Sequence, residues 1–276
     1  MKSSPYLLLL LAGIAASLLL WSRLARRDSR LLTIYAAALT GAFLGAKLVY
    51  LAAEGWMYWS SPHRWIIWAT GKTILGALLG GYLAVEIAKK FVGYRQPTGD
   101  YFAVVAPLGI LFGRVGCLLH GCCLGRECTP AWWTLQDQFG IDRWPAVPVE
   151  MAFNILALAA ALLLRKLQLL RGQHFHLYLM SYGIFRFFHE WMRATPRLTP
   201  VLTGYQIAAL AVTALGVAGF LRRRSHETQN VPISLGVDAI TASAEPKKTP
   251  SSCEPSRGVL AVALKRDETQ KSAAGD

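Results

Sequence analysis

Fourteen residues, Gly113-Arg114-Val115-Gly116-Cys117-Leu118-Leu119-His120-Gly121-Cys122-Cys123-Leu124-Gly125-Arg126, place two arginines, four glycines, three cysteines and a histidine at the end of a long apolar segment. An ionisable residue at membrane depth is costly, and it stands there to meet a partner, a pathway or a ligand. Gly113 and Gly116 flank Arg114 and clear room beside its guanidinium. The planar fork of that group donates two parallel hydrogen bonds to a phosphate. The anion this chemistry fits in a membrane is a phospholipid headgroup. The plainer alternative is a helix-end arginine that snorkels to the interface.

A second set of charges lies in Phe185-Arg186-Phe187-Phe188-His189-Glu190-Trp191-Met192-Arg193. Arg186 and Glu190 are four residues apart, which puts them on one helix face where they pair. The expected result is a second anion-holding arginine whose rotamer is fixed by Glu190. Glu150 follows Pro145 and Pro148 and opens an apolar segment, where a carboxylate meets the favourable end of the helix dipole. Lys72 stands at the start of another segment, placed either to snorkel or to face a lipid phosphate. Gly76 and Gly80 form a G-x-x-x-G pair that lets helices approach closely.

The cysteines leave three chemistries open: disulfide or inert thiols, a metal site, and a catalytic thiol. Adjacent Cys122-Cys123 depart from the two-to-four-residue spacing of zinc knuckles, so no metal and no cofactor is expected. Cys117, Cys122, Cys123 and Cys128 fall on the side expected to face outside, where disulfides are permitted. With Cys253 they make an odd, clustered set of five, which is not the framework of a small secreted domain.

The elements that must position these groups are apolar segments. The 276 residues are 54% hydrophobic and carry a net charge of +13, with a mean hydropathy of +0.35. Seven segments, at 5–22, 31–53, 72–88, 101–119, 147–164, 174–192 and 203–221, approach the ~20 residues a spanning helix needs. The basic residues fall in short clusters between segments. Nucleic-acid binding is therefore not expected, because that would gather them into one patch or stripe.

Arg23, Arg26, Arg27 and Arg30, then Lys89, Lys90 and Arg95, then Arg165, Lys166 and Arg171, then Arg222, Arg223 and Arg224 occupy alternate loops. The positive-inside rule puts those loops in the cytoplasm and the N-terminus outside. The expected fold is all-α: a polytopic membrane protein of seven transmembrane helices over residues 1–224, N-terminus outside and C-terminus cytoplasmic. Residues 225–276 are polar and proline-containing, and are expected to form a disordered cytoplasmic tail. The first segment reads as a retained anchor, because Arg follows it and no small-residue cleavage site precedes Arg23. Trp56, Trp59, Trp65 and Trp68 read as an interfacial aromatic belt or a short in-plane helix.

Taken in order, these pieces resemble the prolipoprotein diacylglyceryl transferase family over roughly residues 30–221. Gly113-Arg114-Val115-Gly116-Cys117, then His120-Gly121-Cys122 and Gly125-Arg126, parallel the family's signature stretch. Trp144-Pro145 through Val149-Glu150 parallels its proline-rich approach to a glutamate. Arg186, Phe187, Glu190 and Arg193 match its arginine-glutamate helix, and Gly204 with Gln206 its last segment.

The resemblance implies an enzyme of the bacterial inner membrane that moves diacylglycerol from phosphatidylglycerol to a cysteine thiol of a lipoprotein precursor. It implies that Lys72, Arg114, Gly116, Gly125, Glu150, Arg186 and Arg193 hold substrate, and that His120, Cys117, Cys122 and Glu190 stand where the thiol reacts. Three positions depart from the family pattern. Its His-Gly motif, tied to thiol activation, reads Gly71-Lys72-Thr73; its signature Asn is Cys117; its signature Glu is Cys122. The alternative reading is a phospholipid-binding or thiol-redox membrane protein of the same fold that has lost transferase chemistry.

Overall fold

The computed structural model describes residues 28–199 and 202–229, with side chains to 223, and scattered positions between 11 and 26. Much of the segment 5–22 and all of the tail beyond 229 lie outside the described residues. In chain order the elements are α1 (Arg30–Ala53), a 3-10 turn (Gly55–Tyr58), α2 (Arg64–Thr70), α3 (Ile74–Phe91) and α4 (Gly99–Leu119). They continue with β1 (Leu135–Gln136), β2 (Asp142–Arg143), α5 (Ala146–Lys166), α6 (His174–His189), a second 3-10 turn (Glu190–Met192) and α7 (Gly204–Gln229). The last helix runs past the expected boundary at 224.

Among the described residues four helices, α1, α4, α5 and α7, are long and apolar enough to cross a membrane. α2 and α3 together make a fifth candidate, bent by 56° at their break. The chain is a multi-pass membrane protein. α6 has 16 residues and runs directly into the three-residue 3-10 turn that follows it, and the two together approach the ~20 that a full crossing needs. The expected segment 174–192 gives way to a 3-10 turn at Glu190, where its charged residues collect.

Small residues set the packing. Gly41 and Gly45 of α1 face Gly76 and Gly80 of α3, and a Cβ at any of the four would overlap atoms of the facing helix. In lipid, where apolar contact with a neighbouring helix gains little over contact with acyl chains, such close approach is what holds two helices together. α6 meets α7 in the same way, with Gly183 against the Ala209 carbonyl and Thr213. Aromatic rings fill the centre: Phe153 stacks on Phe185 at 4.3 Å and Tyr178 on Tyr182 at 5.7 Å between centroids.

The tryptophan-rich stretch forms the first 3-10 turn and α2, with Trp56, Trp59 and Trp65 exposed. Lys47 of α1 donates to the carbonyls of Trp68 and Ala69 at the C-terminal end of α2. The break between α2 and α3 is extended backbone at Gly71 and Thr73. A side chain at Gly71 would strike the Tyr50 ring.

The connection from α4 to α5 is a compact loop. β1 and β2 pair antiparallel, Leu135 with Arg143 and Gln136 with Asp142. Asp137 accepts from Arg143 Nε at 2.7 Å, and that hydrogen bond holds the aspartate carboxyl below the usual carboxylate range.

Candidate functional site

Five ionised groups converge where the ends of α4, α5 and α6 meet. Glu150, in the first turns of α5, is fully buried. Its Oε2 lies 2.7 Å from Arg114 Nη2 of α4, 3.7 Å from Arg186 Nη1 of α6 and 3.7 Å from Arg193 Nη1. Its Oε1 accepts from the Tyr182 hydroxyl at 2.8 Å. Glu190 pairs with Arg186 at 2.9 Å and Arg193 at 3.7 Å, and accepts from the Thr195 hydroxyl at 2.6 Å.

Three guanidiniums against two carboxylates leave one net positive charge in a buried cluster. Isolated buried charges would each cost several kcal/mol, roughly, in lost solvation; here each is paired. The surplus charge marks the cluster as a site for an anion. The Nε atoms of Arg114 and Arg186 carry no hydrogen bond.

The local sequence explains the arrangement. Tyr182, Arg186 and Glu190 are spaced four apart along one helix face. Asn154 stands four residues after Glu150, donates to the Glu150 carbonyl at 2.8 Å and accepts from the Tyr178 hydroxyl at 2.8 Å. Hydrogen-bonded side chains thus tie α5 to α6 from below the charges.

A cavity of about 1630 Å³ opens beside the cluster. Thr98 and Gly99 line one end of it and Cys117 and His120 the other, so it follows α4 for about 27 Å at 1.5 Å per residue. That is close to the ~30 Å thickness of bilayer hydrocarbon, and the volume exceeds the roughly 300–1,000 Å³ of ordinary small-molecule sites. Leu78, Phe102, Val105 and Ile110 form apolar wall; Lys72, Arg114, Arg186 and Arg193 give one region its charge, and Arg23, Lys89, Arg223 and Glu86 also line the cavity. An apolar slot with a cationic end has the chemistry of a phospholipid site.

The residues expected from sequence divide into three groups. Lys72, Arg114, Arg186, Arg193, His120, Cys117 and Cys122 all line the cavity. Glu150 and Glu190 stand behind it as partners of the arginines. Arg114 and Arg186 therefore do not wait alone for a phosphate; a carboxylate already holds each of them.

Gly116 and Gly125 make no cavity wall among the described residues. Gly125 bridges to Arg193 as an antiparallel pair, and a Cβ there would lie 2.6 Å from the Trp144 carbonyl and 2.8 Å from that of Met192. Arg126 N–H donates to the Met192 carbonyl at 2.9 Å. This glycine-arginine pair pins the loop to the segment that carries Arg193.

Gln206 also has a backbone task. Its Oε1 accepts from Thr203 N–H at 2.9 Å, while its own N–H donates to Thr203 Oγ1 at 3.2 Å. This is a capping box at the start of α7. Gly204 sits against Ala53 of α1, where a Cβ would overlap backbone.

Cys117, Cys122, Cys123 and Cys128 are all free thiols. The sulfurs of Cys117, Cys122 and Cys123 lie within 4.8 Å of one another and line the cavity. The Cys123 thiol is pushed down to about 5, first by the hydrogen bond it accepts from Cys117 and then, against its desolvation, by Arg114 and Arg193. Burial and the neighbouring Cys123 push Cys122 up. Sequence reasoning did not single out Tyr182 or Asn154 as site residues, nor Glu54, which lines the cavity and accepts from Tyr205 at 2.5 Å. The four-residue spacings Tyr182–Arg186 and Glu150–Asn154 were the available signal for two of them.

Comparison with known proteins bears on the chain as a whole. The family model described as Prolipoprotein diacylglyceryl transferase matches residues 2–222. A phosphatidylglycerol–prolipoprotein diacylglyceryl transferase of Dehalococcoides mccartyi is 27% identical over 207 residues, 72% of this chain and 78% of the relative. One from Clostridium tetani is 25% identical over 232 residues, covering 80% of this chain and 93% of the relative. A transferase of the same name, numbered 2, from Clostridium perfringens is 28% identical over 194 residues, 67% of this chain and 76% of the relative.

Proposed function

The chain belongs to the prolipoprotein diacylglyceryl transferase family, and we propose that it moves the diacylglyceryl group of phosphatidylglycerol onto a cysteine thiol of a lipoprotein precursor in the bacterial inner membrane. The observation that carries this reading is the buried cluster of Arg114, Arg186, Arg193, Glu150 and Glu190, with one surplus positive charge, at the cationic end of a lipid-sized cavity.

In this reading the acyl chains occupy the apolar slot. The phosphate is held at the arginine end, with Lys72 at the break between α2 and α3 as a further cation. Glu150 and Glu190 are positioning residues that fix the guanidiniums before substrate arrives, so little reorganisation is needed as charge develops on the departing glycerol phosphate. The acceptor sulfur forms a bond to the diacylglyceryl carbon, the bond from that carbon to the phosphate oxygen breaks, and glycerol phosphate leaves with the electron pair. His120, exposed at the cavity mouth beside Cys117 and Cys122, takes the thiol proton.

The finer topology belongs to the same proposal. Seven crossings, with the N-terminus outside and a cytoplasmic tail after the last helix, put the arginine cluster towards the outer leaflet. The basic loops after α3 and α5 then face the cytoplasm. A bacterium depleted of its own transferase tests the reading in cells. Growth restored by this chain and not by Arg114→Ala is the expected result.

The three cysteines favour one alternative, a phospholipid-binding thiol protein without transferase activity, because Cys117 and Cys122 replace polar residues of the family pattern. Binding of phosphatidylglycerol without any lipidated peptide would identify that protein.

A further inference from the structure

The geometry points to a thiophilic metal site formed by Cys117, Cys122 and Cys123, with one coordination position open to the cavity for the acceptor thiol. The sulfurs lie within 4.8 Å of one another. A tetrahedral ion with metal–sulfur bonds of about 2.3 Å holds its thiolates about 3.8 Å apart. Closing the remainder, at most about 1 Å, is a matter of side-chain rotation.

The backbone is shaped to make this cluster. Adjacent residues on an extended chain point their side chains apart. Here Cys123 adopts φ +63° and Gly121 φ +66°. The left-handed conformation costs a non-glycine residue of order 1–3 kcal/mol and persists where surrounding structure imposes it. The turn is closed by Cys122 N–H donating to the Cys117 carbonyl at 3.1 Å. It carries both of its sulfurs to the one at the end of α4.

Three protein ligands with a fourth position open is the pattern of catalytic rather than structural zinc. Soft thiolate ligands favour Zn²⁺ or Cu⁺ over hard cations.

The open position gives the site a task, and this part rests on the transferase reading above. A thiol that coordinates such an ion gives up its proton, here to His120. The resulting thiolate attacks the diacylglyceryl carbon as the bond to phosphate breaks, so the ion changes neither charge nor oxidation state. The site stands in for the His-Gly motif that this chain replaces with Gly71-Lys72-Thr73.

The test uses the full-length protein in phospholipid nanodiscs, reduced, chelator-stripped and kept anaerobic, with Co²⁺ as the spectroscopic probe. One cobalt per chain with sulfur-to-metal charge-transfer absorption is expected. It should be displaced by Zn²⁺, retained by Cys128→Ser and lost in Cys117→Ser and Cys123→Ser. In the parent protein, Zn²⁺ should protect Cys117, Cys122 and Cys123 from alkylation and leave Cys128 reactive, a readout that needs no variant.

A lipobox peptide should shift the cobalt spectrum, and the same peptide with serine for cysteine should not. No charge-transfer band on fully reduced protein, or a band that survives Cys123→Ser, would overturn the proposal. Cobalt binding and the thiol-dependent shift without lipidated product would reject the transferase reading alone. Product formed by metal-free protein at the rate of the metal-loaded protein would reject the ion's part in thiol activation and leave the transferase reading standing.

Discussion

Replacing Glu150 by Gln removes one charge and almost no volume, and the arrangement around it predicts a severe effect. At an effective dielectric of about 20, Coulomb attraction is roughly 6 kcal/mol at the 2.7 Å separation from Arg114 and roughly 4.5 kcal/mol at each 3.7 Å separation, from Arg186 and Arg193. The lost hydration of four buried ions takes back most of that sum. The cost of removing one partner is therefore set by what is left behind. Three guanidiniums would face Glu190 alone, raising the surplus from one positive charge to two. Breaking buried pairs in this way costs about 3–5 kcal/mol.

At about 2–4 °C per kcal/mol for a domain of this size, the melting temperature of Glu150→Gln in a fixed detergent should fall by roughly 6–20 °C. Tyr182→Phe deletes a single charged hydrogen bond and should cost about 1.5–3 kcal/mol, a smaller drop. A melting temperature for Glu150→Gln within 2 °C of the parent, taking about 2 °C as the least shift that 1 kcal/mol produces, would refute the claim that this carboxylate neutralises the three arginines.

Three further outcomes follow from the same geometry. Gly125→Ala forces a methyl group against the backbone of Trp144 and Met192; overpacking of this kind costs about 1–3 kcal/mol, and limited proteolysis should cut the loop between α4 and α5 faster than in the parent. Gln206→Ala removes the hydrogen bond that its side chain accepts from Thr203 N–H and should destabilise by about 0.5–1.5 kcal/mol, with the lipid KM unchanged because Gln206 touches no cavity wall among the described residues.

The third outcome is a pH dependence. Because the folded-state value of Cys123 is lowered to about 5, its thiolate is present above that pH and lost below it. At pH 6 an ordinary thiol of pKa ~8.5 is about 300-fold less ionised. The weaker nucleophilicity of a low-pKa thiolate offsets roughly 40-fold of this. Metal-free protein should thus alkylate at Cys123 nearly tenfold faster than a model cysteine peptide does at pH 6, and equal rates at that pH would contradict the assignment.

Much of this site was readable before the fold, because charges in apolar segments have few ways to be satisfied. Arg186 and Glu190 at four-residue spacing had to share a face, and they pair at 2.9 Å. What spacing does not reveal is which residues meet across helices. Glu150, given an ordinary helix-start role by its position, becomes the centre of the cluster only when α4, α5 and α6 bring Arg114, Arg186 and Tyr182 to it. Gly125 and Gln206 appear in the sequence only as motif members, and their steric and backbone tasks emerge only in the fold. The gathering of the cysteines was not legible in their spacing, since a left-handed turn at Cys123 undoes the divergence that adjacent side chains normally show. The expected length of segment 174–192 was set by hydropathy, which does not register that α6 ends where its charges need a 3-10 turn.

The central claim is that the arginine cluster holds the phosphate while diacylglycerol passes to a thiol. The direct measurement is mass spectrometry of a lipobox peptide incubated with full-length protein in phosphatidylglycerol liposomes, with Arg114→Ala and parent compared at equal amounts of folded protein. The account predicts a thioether-linked diacylglyceryl peptide and an equivalent yield of glycerol phosphate from the parent. For Arg114→Ala it predicts a rate lower by about 100-fold or more, the scale on which losing one preorganised charge-stabilising group acts. Product formed equally well by both proteins, or by neither, would contradict it.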